Sequence, residues 1–173
     1  MHVRRLLLAF IAGLLTLTAV GCGDQALSKG DQAVADSLAS YAIEQSDGVW
    51  NKLEAQCMAE HFVQAAGVDA LKEAGLVSPS GQAVAAKVAL PRPLATKFAD
   101  SVLACVDFAD LTARQIANAR PDIKTAAFTA CVRKSITKPQ ARDRLIAQQM
   151  NDTKASAYLK TNAAMLKCAE AAK

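Results

Sequence analysis

The residues most able to do chemistry in this sequence are its five cysteines, at positions 22, 57, 105, 131 and 168. A zinc site requires closely spaced ligand pairs such as C-x-x-C, whereas Cys105 and Cys131, the closest neighbours, are 26 positions apart. Four cysteines with such wide spacing favour two disulfide bonds in an exported protein. The fifth cysteine then needs a separate explanation.

The other candidate for chemistry is His61, the single histidine that follows Cys22 in the chain. With Glu54 and Glu60 nearby in sequence it could act as a lone general base. However, no G-x-S-x-G elbow, glycine-rich phosphate loop, H-E-x-x-H motif or calcium loop accompanies it. We therefore interpret His61 as a surface or boundary residue. The sequence predicts no enzyme, no metal site and no cofactor.

The N-terminus explains how the cysteines could reach an oxidising compartment. Arg4 and Arg5 are followed by apolar, glycine and threonine residues over 6–20, and small residues then lead into Cys22. Regions in this order are typical of a secretory signal peptide. The run is also shorter than the roughly 20 apolar residues of a membrane-spanning helix. We predict that residues 1–21 are a signal peptide.

The residues Ala19-Val20-Gly21-Cys22 resemble the lipobox of bacterial lipoprotein precursors. The resemblance implies that Cys22 becomes the mature N-terminus and that its sulfur carries a diacylglyceryl group, which anchors the protein to a membrane. It covers about the first 22 residues and implies nothing about the rest. The alternative is an ordinary signal peptide cleaved nearby, which leaves Cys22 as a spare thiol.

The elements that must position the other four cysteines are predicted to be α-helices. From Asp31 onward the chain is rich in alanine, poor in β-branched runs and interrupted at helix-like intervals, which favours an all-α fold. Residues 22–30 are small or polar and are interpreted as a tether, and residues 31–173 as a single helical domain. The predicted helices span residues 31–46, 49–66, a short stretch from 69, 93–108, 112–119, 122–135, 137–150 and a last helix opened by 151–153.

Local signals predict the helix ends and the core. Gly67 should close a helix, the Ser78–Gly81 stretch should turn, and the Pro91-Arg92-Pro93 segment should be a rigid linker with Pro93 in the first turn of the next helix. The predicted caps are Asp69, Asp122, Thr137 and the 151–153 stretch. Apolar residues at helical spacing are expected in the core, among them Trp50, Leu53, Phe62, Phe98, Tyr158, Leu159, Met165 and Leu166.

A weak internal repeat appears when residues 31–110 are set over residues 111–173 with their cysteines aligned in order. Leu71 then falls on Leu145, and each half becomes two cysteine-bearing helices joined by a connection. This arrangement predicts a disulfide-stapled helical bundle built from two tandem helical hairpins. Three pairings of four cysteines are open from spacing alone. The repeat favours the pairings Cys57 with Cys105 and Cys131 with Cys168.

Charge is distributed unevenly between the two halves. Residues 22–110 hold 6 Lys or Arg and 12 Asp or Glu, whereas residues 111–173 hold 12 and 4. The small total charge does not indicate nucleic-acid binding. Either the two halves attract each other across their interface, or the basic half meets an anionic lipid surface or envelope polymer. The cations expected in the second case are Arg133, Lys134, Lys138, Arg142 and Arg144.

These observations predict a protein held by a lipid anchor on the extracytoplasmic face of the cell membrane. We expect its helical domain to bind another envelope component, such as a protein or an anionic polymer, without catalysis. The alternative is a carrier that places an apolar or lipid ligand between its helices. A cavity between the helices would favour the carrier.

Overall fold

A computed structural model describes residues 26–84 and 88–173 of the chain. The predicted signal peptide, Cys22 and the first part of the predicted tether fall in residues 1–25 and so lie outside the described residues. Within the described ranges the predicted all-α fold is confirmed, and the only strand-like contact is an isolated antiparallel bridge between Val77 and Ala83. The helices are α1 (Lys29–Glu44), α2 (Lys52–Ala66), α3 (Val68–Glu73), α4 (Arg92–Cys105), α5 (Phe108–Ala119), α6 (Thr125–Ser135), α7 (Lys138–Gln149) and α8 (Ser156–Ala171).

The helices pack in a continuous series. α1 lies against α2, which also contacts α3 and α4, and α4 contacts α7. α7 then contacts α8, α8 contacts α6, and α6 contacts α5. Buried apolar residues along this series form one cluster, so the described residues share a single core. None of the described helices combines the length and apolar composition that a membrane-spanning helix needs.

Small side chains let the helices of the first half approach closely. The alanines at the centre of the α1, α2 and α4 contacts have no accessible surface: Ala35, Ala55, Ala59, Ala95 and Ala99. Larger groups fill the space between them, and the Phe62 and Phe98 rings meet edge to face with their centroids 5.3 Å apart. Trp50 is half-buried and packs against this core.

Three leucines expected in the core are exposed instead, so that part of the core prediction is wrong. Leu53, Leu159 and Leu166 are 83%, 55% and 65% exposed. Each leucine precedes a buried residue of its own helix by two positions: Ala55, Thr161 and Cys168. Two positions turn an α-helix by about 200°, so these leucines point away from the face that packs.

Two predicted helix starts are wrong and one is confirmed. The Thr137 hydroxyl accepts a hydrogen bond from the Gln140 amide, and the Gln140 side chain accepts one from the Thr137 amide, which together form a capping box. Asp122 does not cap α6, because it binds Arg120 and the helix begins at Thr125. Asn151 adopts a left-handed φ of 55°, so the chain turns there and α8 begins at Ser156.

Side-chain caps also explain two other differences from the predicted helices. Asp107 accepts hydrogen bonds from the Ala109 and Asp110 amides at 2.8 and 3.1 Å, so the helix expected over 93–108 ends at Cys105 and α5 begins at Phe108. Ser28 caps α1 by accepting from the Asp31 amide, and Leu27 packs against the core. The predicted tether therefore loses residues 27–30 to the domain.

The remaining turn predictions divide in the same way. Gly67 closes α2 with a φ of 80°, as expected. Residues 78–81 form the expected turn, and Pro93 lies in the first turn of α4. Asp69 is not a cap, because Gly67 occupies the N-cap position of α3 and Asp69 lies inside the helix.

Candidate functional site

The two disulfides join the cysteine pairs that the repeat favours. Cys57 bonds to Cys105 and Cys131 bonds to Cys168, with Cα atoms 5.7 and 5.5 Å apart, within the usual range. In chain order, α1–α4 and α5–α8 are two sets of four helices, and in each set a disulfide joins the second helix to the fourth. The α2–α4 and α6–α8 pairs form the rigid frame of their halves.

His61 lies beside the first of these disulfides. One of its ring nitrogens and the sulfurs of Cys57 and Cys105 all lie within 4.8 Å of one another. A metal site needs thiolate sulfurs, and these two sulfurs are bonded to each other. In its oxidised form the cluster is therefore an imidazole against a disulfide rather than a set of metal ligands.

Ion pairs join the acidic half of the chain to the basic half. Of the five charged contacts among the described residues, four connect a cation after residue 110 with a carboxylate at or before it. The pairs are Arg114 with Glu54, Arg133 with Asp107 and with Asp110, and Arg142 with Asp100. Arg114 with Glu54 and Arg142 with Asp100 connect helices of the second half of the fold to helices of the first half. Arg133 pairs with carboxylates at the start of α5, so that contact lies within the second half.

The Arg142–Asp100 pair is the most directional of these contacts. The Arg142 Nη2 atom donates to Asp100 Oδ2 at 2.9 Å, and its Nε atom donates to the other carboxylate oxygen. These hydrogen bonds lower the pKa of the Asp100 carboxyl, and the charge of Lys138 adds to the effect. Two of the five cations expected at an anionic surface, Arg133 and Arg142, therefore already have carboxylate partners.

The other three expected cations lie in different surroundings. Lys134 and Lys138 are exposed near the α6–α7 turn, with no carboxylate within 4.0 Å among the described residues. Arg144 is half-buried on α7 and faces a different groove from the one that Arg133 and Lys138 line. The five residues thus do not share one surface.

Arg144 is held by neutral groups. Its Nε atom donates to Asn162 Oδ1 at 2.9 Å, and its Nη1 atom donates to Gln148 Oε1 at 2.8 Å. Its guanidinium carbon lies 5.7 Å from the ring centroid of Phe108 and 5.5 Å from that of Tyr158, both within the range of cation–π attraction. Burial lowers the pKa of this guanidinium, because desolvation disfavours its charged form.

Arg144 lines a groove of about 320 Å³ between α5, α6 and α8. The walls are mostly apolar and consist of Ile116, Phe128, Met165, Leu166 and Ala169. The uncharged polar residues in the lining are Thr112, Gln115 and Asn162. The volume lies at the lower end of the roughly 300–1,000 Å³ of small-molecule sites. The groove therefore combines an apolar wall with a fixed guanidinium.

The longer connection in the first half covers α1, which occupies the same place in its set of four helices as α5 does in the second set. The Cys57–Cys105 separation is 48 residues and the Cys131–Cys168 separation is 37. In the longer connection the Ala83 amide donates to the Ser37 hydroxyl of α1 at 2.9 Å. Gly81 is buried so close to α1 that a Cβ atom there would lie 3.1 Å from Val34. Among the described residues no such segment covers α5 at the groove.

A second groove, of about 450 Å³, lies between the α4–α5 and α6–α7 turns. Its lining includes Arg133 and Lys138, but also Asp107, which pairs with Arg133. Because its charges are partly balanced within the protein, it is a weaker candidate for an anion or a lipid than the groove at Arg144.

Sequence reasoning named Arg144 only as one of five surface cations and did not predict its surroundings. Gln148 lies four residues further along the same helix, so helical spacing could have indicated that contact. Phe108, Tyr158 and Asn162 come from other helices, and no local pattern links them to Arg144. No protein-family model, no curated protein and no solved structure matches this chain.

Proposed function

We propose that this protein is an extracytoplasmic lipoprotein, anchored to the membrane through Cys22, whose helical domain binds a small amphiphilic ligand in the groove between α5 and α8. The proposal assigns no catalysis to the domain. The observation that carries it is the open apolar groove of about 320 Å³ beside Arg144. The lipobox resemblance at residues 19–22 and the two disulfides support the placement outside the cytoplasm.

The exposed leucine at the groove supports an apolar ligand. Leu166 is 65% exposed on α8, and its neighbour Met165 is only partly buried. Covering such apolar surface is favourable by about 25 cal/mol per Å², and exposed apolar patches often mark binding sites. An apolar chain laid between α5 and α8 would remove these side chains from water.

The short tether would keep the groove near the membrane. Leu27 packs against the core, so only residues 22–26 remain between an acylated Cys22 and the folded domain. Five extended residues span at most about 18 Å. A domain held at this distance could exchange amphiphiles with the outer layer of the membrane that anchors it.

Two measurements test the anchor. The mature protein should have the mass of residues 22–173 plus its acyl groups, and it should be recovered with the membrane fraction. The Cys22→Ala variant should be recovered in the soluble fraction without the acyl mass. A parent protein that keeps its leader and has unmodified Cys22 would contradict the anchor.

A matched pair of leucine variants tests the groove. Native mass spectrometry of the protein extracted from membranes should find a bound lipid-like molecule, and Leu166→Gln should reduce its occupancy. Leu53→Gln is the control, because Leu53 is equally apolar, is 83% exposed and lies outside the groove lining. An empty parent protein, or equal losses in both variants, would count against a ligand in this groove.

A second candidate function is contact with an anionic envelope surface. It is favoured by Lys134 and Lys138, which are exposed near one turn and lack carboxylate partners within 4.0 Å among the described residues. Binding to vesicles of anionic lipid should then weaken with added salt. It should also weaken in Lys134→Gln with Lys138→Gln, while Leu166→Gln has no effect.

A further inference from the structure

We propose that the ligand in the α5–α8 groove is a single-chain amphiphile with a carboxylate head group, of the fatty-acid type, and that Arg144 binds this head group. The inference rests on the proposed function, because it names the chemistry of the ligand in the same groove. It can nevertheless fail separately, since an uncharged amphiphile could occupy the groove without using Arg144.

The first argument is the missing counter-charge. Arg114, Arg133 and Arg142 each contact a carboxylate within 4.0 Å. Arg144 contacts none among the described residues, although it is more buried than Arg133. A cation withdrawn from water without an opposite charge is costly. A monoanionic ligand would supply the charge that the protein does not.

The second argument is the hydrogen-bonding capacity that remains. Amide oxygens of Asn162 and Gln148 accept from Nε and Nη1 of Arg144, and no described residue accepts a hydrogen bond from its Nη2 atom. The guanidinium is a planar fork that matches a carboxylate. Because the two amides and the two aromatic rings already fix its orientation, little side-chain entropy remains to be lost on binding.

The third argument is the match between charge and shape. The groove is lined by Arg144 together with the apolar residues Ile116, Met165 and Leu166. One ligand can therefore contact a cation and an apolar surface at the same time. A volume of about 320 Å³ suits one chain rather than two. A single unbalanced cation suits one negative charge, which favours a carboxylate over a doubly charged phosphate.

The test compares head groups on one chain length. The full mature chain with Cys22→Ala lacks only the acylated sulfur and can be titrated without detergent, by calorimetry, with dodecanoate, dodecanol, dodecyl phosphate and dodecyltrimethylammonium below their micelle concentrations. We expect dodecanoate to bind at least tenfold more tightly than dodecanol, and the cationic probe to bind most weakly.

Variants of arginine identify the group responsible. Arg144→Gln should bind dodecanoate and dodecanol equally, and Arg144→Lys should keep part of the preference, because it keeps the charge but loses the fork. Arg142→Gln is the matched control, since Arg142 lies on the same helix and pairs with Asp100; its preference should equal that of the parent. The comparison of dodecanoate with dodecanol on the Cys22→Ala parent needs no change at Arg144, so it stands even if Arg144→Gln fails to fold.

The outcomes separate the two proposals. Equal affinity of the parent for dodecanoate and dodecanol would overturn the role of Arg144 and leave the groove as a binding site. Tighter binding of dodecyl phosphate than of dodecanoate would overturn the assignment of a carboxylate. If none of the probes binds, both the head group and the proposed function fail.

Discussion

Removing the disulfides one at a time provides a quantitative test of how the two halves are held. The perturbations are the double variants Cys57→Ala with Cys105→Ala, and Cys131→Ala with Cys168→Ala. The closed loops differ little in length, with separations of 48 and 37 residues. In the chain-entropy model each disulfide then contributes about 4 kcal/mol, and the longer loop contributes only about 0.2 kcal/mol more.

Packing should reverse this small difference. Cys168 is 1% exposed, whereas the other three disulfide cysteines are half-buried. Replacing Cys168 by alanine removes a sulfur from the core and adds a cavity cost of about 1 kcal/mol. The free energy of unfolding should therefore fall by about 4 kcal/mol without Cys57–Cys105 and by about 5 kcal/mol without Cys131–Cys168. Domains commonly have about 5–15 kcal/mol in total, so either loss is a large share.

The assay is urea unfolding of the parent and both variants, followed by far-ultraviolet circular dichroism and analysed by linear extrapolation. Ligand affinity is a second measurement that distinguishes the two disulfides. The variant without Cys131–Cys168 should lose ligand affinity, because that disulfide joins the α6 and α8 walls of the groove. A loss below about 1 kcal/mol in either variant, or a larger loss in the Cys57–Cys105 variant, would refute the reasoning.

Two further predictions concern stability. Thr137→Ala removes the hydroxyl of the capping box and should lower the free energy of unfolding by about 1 kcal/mol in chemical denaturation. The control is Thr153→Ala, in the exposed α7–α8 connection, which should change that free energy by less than about 0.5 kcal/mol. Asp100→Asn should lower the melting temperature at neutral pH, because hydrogen bonds from Arg142 lower the pKa of the Asp100 carboxyl in the folded state and its charged form is stabilising. This stabilisation is fully present at pH values above 3.8, the ordinary pKa of an aspartate, and is lost as the pH falls through the lowered pKa of the folded state. The melting temperatures of parent and variant should therefore converge in acid. A difference that stays constant with pH would contradict the pairing.

The sequence predicted the framework because its signals are local. Alanine-rich segments with breaks at helix-like intervals indicate helices, and Thr137 ahead of such a segment indicates an N-cap, which the structure shows as part of a capping box. The spacing of the four cysteines, read with the weak repeat, gave the pairing that the disulfides adopt. The helix and cap signals depend on the neighbours of a residue along the chain, whereas the pairing came from comparing the two halves of the sequence.

The wrong predictions concern residues whose role depends on contacts that form only in the folded protein. Asp122 is a residue type that often caps helices, but in the structure its carboxylate binds Arg120 instead. Leu166 is apolar, but a shift of two positions from Cys168 turns it away from the packed face of α8. Hydrophobic spacing specifies that a helix has a packed face more reliably than it specifies which residues occupy it.

The candidate site was the least predictable part. From the sequence, Arg144 was one of five expected surface cations. In the structure it differs from Arg142, two positions away, because aromatic and amide groups surround it in place of a carboxylate. Phe108, Tyr158 and Asn162 come from α5 and α8, and only Gln148 lies on the same helix as Arg144. The groove is open because no described segment covers α5 as the longer connection covers α1. The cysteine separations of 48 and 37 residues show that one connection is longer, but they do not show which surface it covers.

The consecutive pairing of the cysteines has a consequence for biosynthesis. Each cysteine from Cys57 onward pairs with its next neighbour along the chain or the one before it. If the protein is exported and Cys22 is acylated, as we propose, an oxidase that joins thiols in the order in which they leave the translocation pore would produce the native bonds directly. The protein should then mature at a normal rate in cells that lack a disulfide isomerase.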